Sequence, residues 1–340
     1  MTTPKRPWIA RPGHYIPLGL LALGAVVAVV AVVSPWPTAL LIRGLFEQDA
    51  KKTVAEMDKY APKSGVDATL NQHYGTDGGD TGFDLFSPSG TTGALPTVVW
   101  IHGGAWISGS KENVDPYLRM IAAAGYTTVA LDYTVAPEAT YPTALNQLND
   151  ALAHLTEHAD EYRIDPDRIV LAGDSAGANL ASQLATVVTK PEYAKTVGVR
   201  PSLTPEQLTA LVLDCGIYDV SGIPNAPGIG GWGFRTALWA YIGKKNWSVQ
   251  PGGKQMGVLD DVTGDFPTTW ISGGNGDPLT DVQSKPFAAK LKSLGVDVTE
   301  VFYPQDTTPA LPHEYQFHLD DVNARNALQS TIDFLDRVTK

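Results

Sequence analysis

The chain has one cysteine, Cys215, which excludes an intrachain disulfide and any cysteine-rich zinc or iron–sulfur centre. Basic residues are scarce, with 25 Lys and Arg against 36 Asp and Glu, a formal net charge of −11. That sign repels phosphate backbones, so no nucleic-acid partner is expected. The globular part has no internal repeat and no low-complexity tract. With 43% apolar and 18% charged residues, the chain is neither disordered nor a coiled coil. Thirty-three glycines and 25 prolines call for many tight connections, and 340 residues leave room for two average domains or one large α/β domain.

Charge is also missing from Pro12 to Ile42, where no Asp, Glu, Lys or Arg occurs. Inside that stretch Leu18 to Val33 form 16 consecutive apolar residues, preceded by Lys5, Arg6 and Arg11. A spanning helix over residues 16–36 and a cleaved signal sequence both suit this pattern. The length of the run and the lack of an A-x-A site before Pro35 and Pro37 favour the anchor. The run has no polar face, which argues against a buried helix of a soluble domain. Only Arg43 follows within the next 15 positions, so the basic flank lies on the N-terminal side. The positive-inside rule then expects a cytoplasmic stub, a single pass through the cell membrane contacting the lipid bilayer, and an extracytoplasmic domain. Secretion after signal cleavage is the alternative. The expected division is 1–43 for stub and anchor, 44–65 for a polar, partly helical linker, and 66–340 for the globular domain.

Beyond the linker, short apolar runs rich in Val and Ile recur: Thr97–Gly104, Thr127–Tyr133, Arg168–Ser175, Leu208–Gly216, Thr268–Gly273 and Val298–Tyr303. Such runs read as strands buried on both faces. Helical patterns lie between them, at Pro116–Ala124, Ala144–Tyr162, Ala176–Thr189, Val282–Leu294 and roughly Tyr315–Val338. This alternation predicts an α/β fold with a mostly parallel central sheet and helices on both faces. About fifty residues at 217–267 interrupt the rhythm and are too long for a plain loop, so a helical cover is expected there. They contain Trp232, Trp239 and Trp247. Trp106, Trp232 and Trp239 are candidates to line a compact ligand pocket, the alternative being that the tryptophans are merely core of the cover.

Chemistry is signalled most strongly by Gly173-Asp174-Ser175-Ala176-Gly177, a G-x-S-x-G sequence at a strand end and helix start. A sharp turn there exposes the serine Oγ above the positive end of a helix. An N-cap serine is the bland reading. A second signal is His102-Gly103-Gly104-Ala105-Trp106, 73 residues before Ser175 and again at a strand end. Acyl transfer creates an oxyanion that needs N–H donors. Here these are the amides of Gly103, Gly104 or Ala105, together with Ala176. His102 is expected to order the loop rather than act as base.

A serine followed by an aspartate and then a histidine suits this architecture. Asp277, in Gly276-Asp277-Pro278-Leu279, and His313, after the last strand, both fall in strand-to-helix loops on the edge that carries Ser175. Asp281 competes with Asp277 but suits an N-cap, and His318 competes with His313 but falls in the final helical pattern. His154 and His158 are spaced i, i+4 without an H-E-x-x-H context, so an exposed helix face is expected and no metal. Cys215 reads as a core residue.

At these residues the chain resembles the α/β-hydrolases, and within them the bacterial hormone-sensitive-lipase-like esterases. The matching pieces are IHGGAWISGS at 101–110, LDYTVAPEATYP at 131–142, IDPDRIVLAGDSAGANLA at 164–181, GDPLTD at 276–281 and the histidine of HEYQF at 313. The resemblance implies Ser175 as nucleophile, His313 as general base, Asp277 as its orienter, and no cofactor. It departs from the family at Ala105, where a third glycine is usual, and this form also occurs in carboxylesterase-like and kynurenine-formamidase-like relatives. The function it implies is hydrolysis of small-molecule carboxylic esters, and the tryptophan-bearing insert at 217–267 is what points to small to medium acyl chains. An amidase, formamidase or peptidase with the same triad is the alternative, followed by an inactive binding protein on the same fold. The sequence leaves the oligomeric state open.

Overall fold

The computed structural model describes residue 24 and residues 30–75, 80–225 and 228–340. Eight strands make one sheet: β1 (Val66–His73), β2 (Gly82–Pro88), β3 (Leu95–Ile101), β4 (Thr127–Leu131), β5 (Ile164–Asp174), β6 (Leu208–Asp214), β7 (Thr268–Gly273) and β8 (Val298–Phe302). Their spatial order is β1-β2-β4-β3-β5-β6-β7-β8. Strands β3 to β8 are parallel, and β1 and β2 pair antiparallel at one edge. The six expected strands are β3 to β8. The two edge strands have no matching expectation. β1 reads VDATLNQH and is mostly exposed, so it shows no apolar run. In β2 the apolar residues are broken by Asp84, which is buried in an ion pair with Lys111 at 2.9 Å.

Successive side chains of a strand point to opposite faces, so each parallel strand feeds two cores. Val99, Ile101, Leu171, Leu211 and Leu213 pack on one side with helices Thr143–Glu157 and Ala176–Thr189. Val98, Trp100, Val170, Ala172 and Val212 pack on the other with helices Asp115–Ala123 and Val322–Thr339. The expected final helix from Tyr315 is in fact a short 3-10 turn, Tyr315–Phe317, and then a helix that starts at Val322. Asp321 caps that helix by accepting from the Asn323 amide at 2.7 Å. His318 therefore lies in the loop between them, not in a helix. Asp281 is likewise not an N-cap; it lies inside the turn Thr280–Ser284 and pairs with Lys285 at 2.6 Å.

Between β6 and β7 the chain forms helix Gly228–Ile242, a shorter helix Pro251–Gln255 and two 3-10 turns. Helix Trp36–Met57 packs against this insert and against the body. It carries the first half of the stretch expected as a linker at 44–65. Ala39, Ile42, Phe46, Ala50, Thr53 and Met57 recur every three or four residues along one face of it; Ala39, Ile42 and Met57 are buried, while Phe46 is 43% exposed. Arg43 fixes it: Nε donates to the Ile107 carbonyl at 2.6 Å, and the other nitrogens reach the Ala136 carbonyl and both Glu138 oxygens. Among the described residues no helix is long and apolar enough to cross a membrane. The span expected over 16–36 lies outside the described residues except at 24 and 30–36.

Candidate active site at the strand ends

The parallel strands end on one edge of the sheet, and the loops leaving them converge there. Ser175 follows β5 with φ 50° and ψ −114°, a backbone shape that a serine adopts only when its surroundings impose it. Its amide donates to the Asp214 carbonyl at the end of β6, at 2.8 Å. Gly177 is required two residues on, because a Cβ there would run into the carbonyl oxygen of Ile101 at the end of β3. The helix can then start directly under Ser175, close against the sheet.

His313 and Asp277 arrive from the loops after β8 and β7. The Ser175 hydroxyl donates to His313 Nε2 at 2.9 Å, and Nδ1–H donates to Asp277 Oδ2 at 2.8 Å. The other Asp277 oxygen accepts from the Leu279 amide at 2.8 Å, which locks the carboxylate. Burial pulls the His313 pKa down. The hydrogen bond and charge of Asp277, with contributions from Cys215 and Glu314, outweigh it and hold the ring well above its ordinary 6.5. The arrangement can take a proton from the hydroxyl as its oxygen attacks a carbonyl, and stabilise the charged ring that results.

The loop after β3 supplies amides. Gly104 has φ 107°, and a Cβ there would strike the Ser108 carbonyl. Ala105 and Trp106 also have positive φ, at 52° and 59°. Gly104 and Ala105 line the cleft, and neither amide has an acceptor among the described residues. Gly103 differs from expectation: its amide already donates to Asp174 Oδ2 at 2.8 Å. Asp174 also accepts from the Trp100 indole at 2.7 Å, and burial, with the charge of Glu314, pushes its carboxyl up to about 8. His102 is buried, stacks on Tyr133 with ring centroids 4.4 Å apart, and donates from Nδ1 to the Gly103 carbonyl. Ala176, wholly buried, opens the helix behind Ser175.

Ser175, His313, Asp174 and loop residues 102–105 border a cleft of about 300 Å³. Its far wall is helix Trp36–Met57, through Phe46, Asp49, Ala50 and Thr53, and Phe234 and Phe317 add aromatic surface. None of the three expected tryptophans lines it. Trp106 is fully buried and stacks on Tyr241 at 5.5 Å, because its positive φ turns the ring into the core. Trp232 and Trp239 are seven residues apart and share one helix face, while Phe234 is about 200° round the helix from Trp232. Trp232 is 44% exposed, and Trp239 lies under the Lys245 ammonium. Trp247 is core to the insert. The wall from Trp36–Met57 went unread in the sequence, although the three-and-four spacing from Ala39 to Met57 carries it.

Cys215 is more than core filling. It has φ 50°, accepts the Glu314 amide at 3.4 Å, and its sulfur groups with Asp277 and His313 within 4.8 Å. A metal does not suit this trio. Both His313 nitrogens are engaged, and burial pushes the thiol up to about 12, so it stays protonated. His154 and His158 stack on each other at 4.2 Å beside Tyr162. His318 bonds Glu56 at 3.3 Å and, with Lys59 on Asp320 at 2.9 Å, ties the Trp36–Met57 segment to the loop after His313.

Residues 83–291 match the family model described as BD-FAE. The chain belongs to this family. Its fold is that of the α/β-hydrolases. An acetyl esterase of Salmonella choleraesuis (strain SC-B67) is 30% identical over 209 residues, 60% of this chain and 61% of that protein. One from Salmonella paratyphi A is 38% identical over 104 residues, 30% of this chain and 32% of that protein. The chain thus spans less than two thirds of the length of these relatives. Among solved structures, esterase B from Lactobacillus rhamnosis superposes with a TM-score of 0.76 at 23% identity, covering 89% of this chain and 96% of that one. A bacterial heroin esterase gives 0.68 at 23% identity, covering 88% and 91%. These two likenesses concern the fold.

Proposed function

We propose that this BD-FAE family member is a carboxylesterase-type serine hydrolase for small-molecule esters. The observation that carries the reading is the unbroken relay Ser175–His313–Asp277 at 2.9 and 2.8 Å. Ser175 Oγ attacks the ester carbonyl as His313 takes its proton. The oxyanion is held by the amides of Gly104, Ala105 and Ala176, the Gly103 amide being committed to Asp174. His313 protonates the leaving alcohol, and water then cleaves the acyl-enzyme by the reverse path. Asp277 keeps the ring oriented and stabilises its charged form. The relatives named acetyl esterases agree with a small acyl group. So does a cleft of about 300 Å³, at the low end of the roughly 300–1,000 Å³ usual for ligand sites. Small to medium acyl chains are therefore the proposed substrates.

One experiment tests both parts. Nitrophenyl esters from acetyl to palmitoyl should give a kcat/KM that peaks well before the longest chain. A serine-reactive phosphonate should label Ser175, and Ser175→Ala should lose on the order of 10⁶ in kcat. Labelling at another serine overturns the nucleophile, and a profile still climbing at palmitoyl overturns the size assignment.

We further propose that residues 16–36 hold the protein in the cell membrane with the hydrolase outside. The uncharged stretch supports it, as do the exposed Trp36, Leu40, Leu41 and Leu45 on the helix that continues from it. Fractionation should leave the full-length chain with membranes; a soluble form beginning after residue 31 would establish signal cleavage instead.

A further inference from the structure

Glu314 follows His313 with φ 56°, in the left-handed region. Its amide is turned onto Cys215 Sγ, and its carboxylate is brought back over the cleft, with Oε1 3.6 Å from His313 Nε2. A methyl group on Gly103 would lie 2.9 Å from the same oxygen, so the carboxylate sits beside the oxyanion loop. Among the described residues Glu314 forms no ion pair with a lysine or arginine, and none of either type lines the cleft. The other carboxylate on the open rim, Asp49, is paired with Lys52 at 3.2 Å. Asp174 lies buried behind Glu314 and adds the same sign when ionised.

A fixed negative charge there stabilises the cation that forms on His313, and it also favours a substrate half that carries positive charge over one that carries negative charge. The position of Glu314 says which half of the substrate that is. The leaving alcohol must come within hydrogen-bond reach of His313 Nε2 to receive its proton, and Glu314 lies beside that nitrogen. Phe46, Phe234 and Phe317 line the same cleft and add aromatic surface to it.

We propose that Glu314 is a specificity-determining residue that selects esters whose alcohol carries an alkylammonium group, and that it rejects anionic alcohols. This rests on the esterase reading above. Three acetates of nearly equal shape test it: 2-(trimethylammonio)ethyl, 3,3-dimethylbutyl and 2-sulfoethyl acetate. At low salt kcat/KM should fall in that order, with the cationic ester about thirtyfold above the anionic one. The ratio should shrink as salt is added. Glu314→Gln should bring it near unity, and Glu314→Asp should restore part of it. An equal ratio in wild type and Glu314→Gln overturns the inference. So does a wild-type ratio near one, which needs no variant and leaves the esterase reading standing. No turnover of any ester, with no phosphonate labelling of Ser175, overturns that reading and the inference with it.

Discussion

The two walls of the cleft are built by different means. The strand-end wall is held from every side. Ser175, Gly104, Ala105 and Trp106 all have positive φ. Behind them Asp174 ties β5 to the β3 loop through Trp100 and Gly103. The opposite wall, helix Trp36–Met57, rests on the buried Ala39, Ile42 and Met57, on the Arg43 cluster and on the Glu56 contacts to His318 and Asp320. Leu40, Leu41 and Leu45 on its outer face are exposed. The atoms proposed to carry charge in the reaction therefore sit where the backbone cannot relax. The surface that meets the rest of a substrate sits on a separately fastened helix.

This contrast can be broken most severely at Gly177. Gly177→Ala places a methyl group against the Ile101 and His102 carbonyls, and backbone cannot move aside as a side chain can. The expected cost is about 3 kcal/mol or more in a denaturant melt, together with loss of phosphonate labelling at Ser175. A variant with native stability and full labelling would show the turn at Ser175 to be looser than its contacts require.

Arg43→Ala tests the other wall and should do less. It removes hydrogen bonds to Ile107, Ala136 and Glu138, worth about 1–3 kcal/mol together, since the Glu138 end is partly solvated. Because the helix only borders the cleft, KM should rise severalfold while kcat changes little. An equal fall of kcat with unchanged KM would mean that the helix also positions the reacting groups.

The smallest expected effect is a shift in pH dependence. His313 must be neutral to accept a proton, so kcat/KM should fall as pH drops through a midpoint above the ordinary histidine value. Burial lowers that midpoint, but Asp277, Cys215 and Glu314 raise it further than burial lowers it. Glu314→Gln removes one raising charge, so the acid limb should move to lower pH. A limb that stays in place or moves up would show that Glu314 does not act on the ring.

The sequence alone determined the six parallel strands and the order Ser175, Asp277, His313. Both follow from local patterns: strands buried on two faces are continuous apolar runs, and a parallel sheet brings every strand's C-terminal loop to one edge. The edge strands escaped because β1 is polar and exposed and β2 hides a charged residue whose partner, Lys111, is 27 positions away. Only the tertiary structure decided that Phe46, Phe234 and Phe317 border the cleft where Trp106, Trp232 and Trp239 do not. It alone committed the Gly103 amide to Asp174 and turned Glu314 toward His313. The physical reason is the same in each case. Residue type and spacing set which backbone forms, but the direction of a side chain or an amide depends on φ at one residue and on partners distant in the chain.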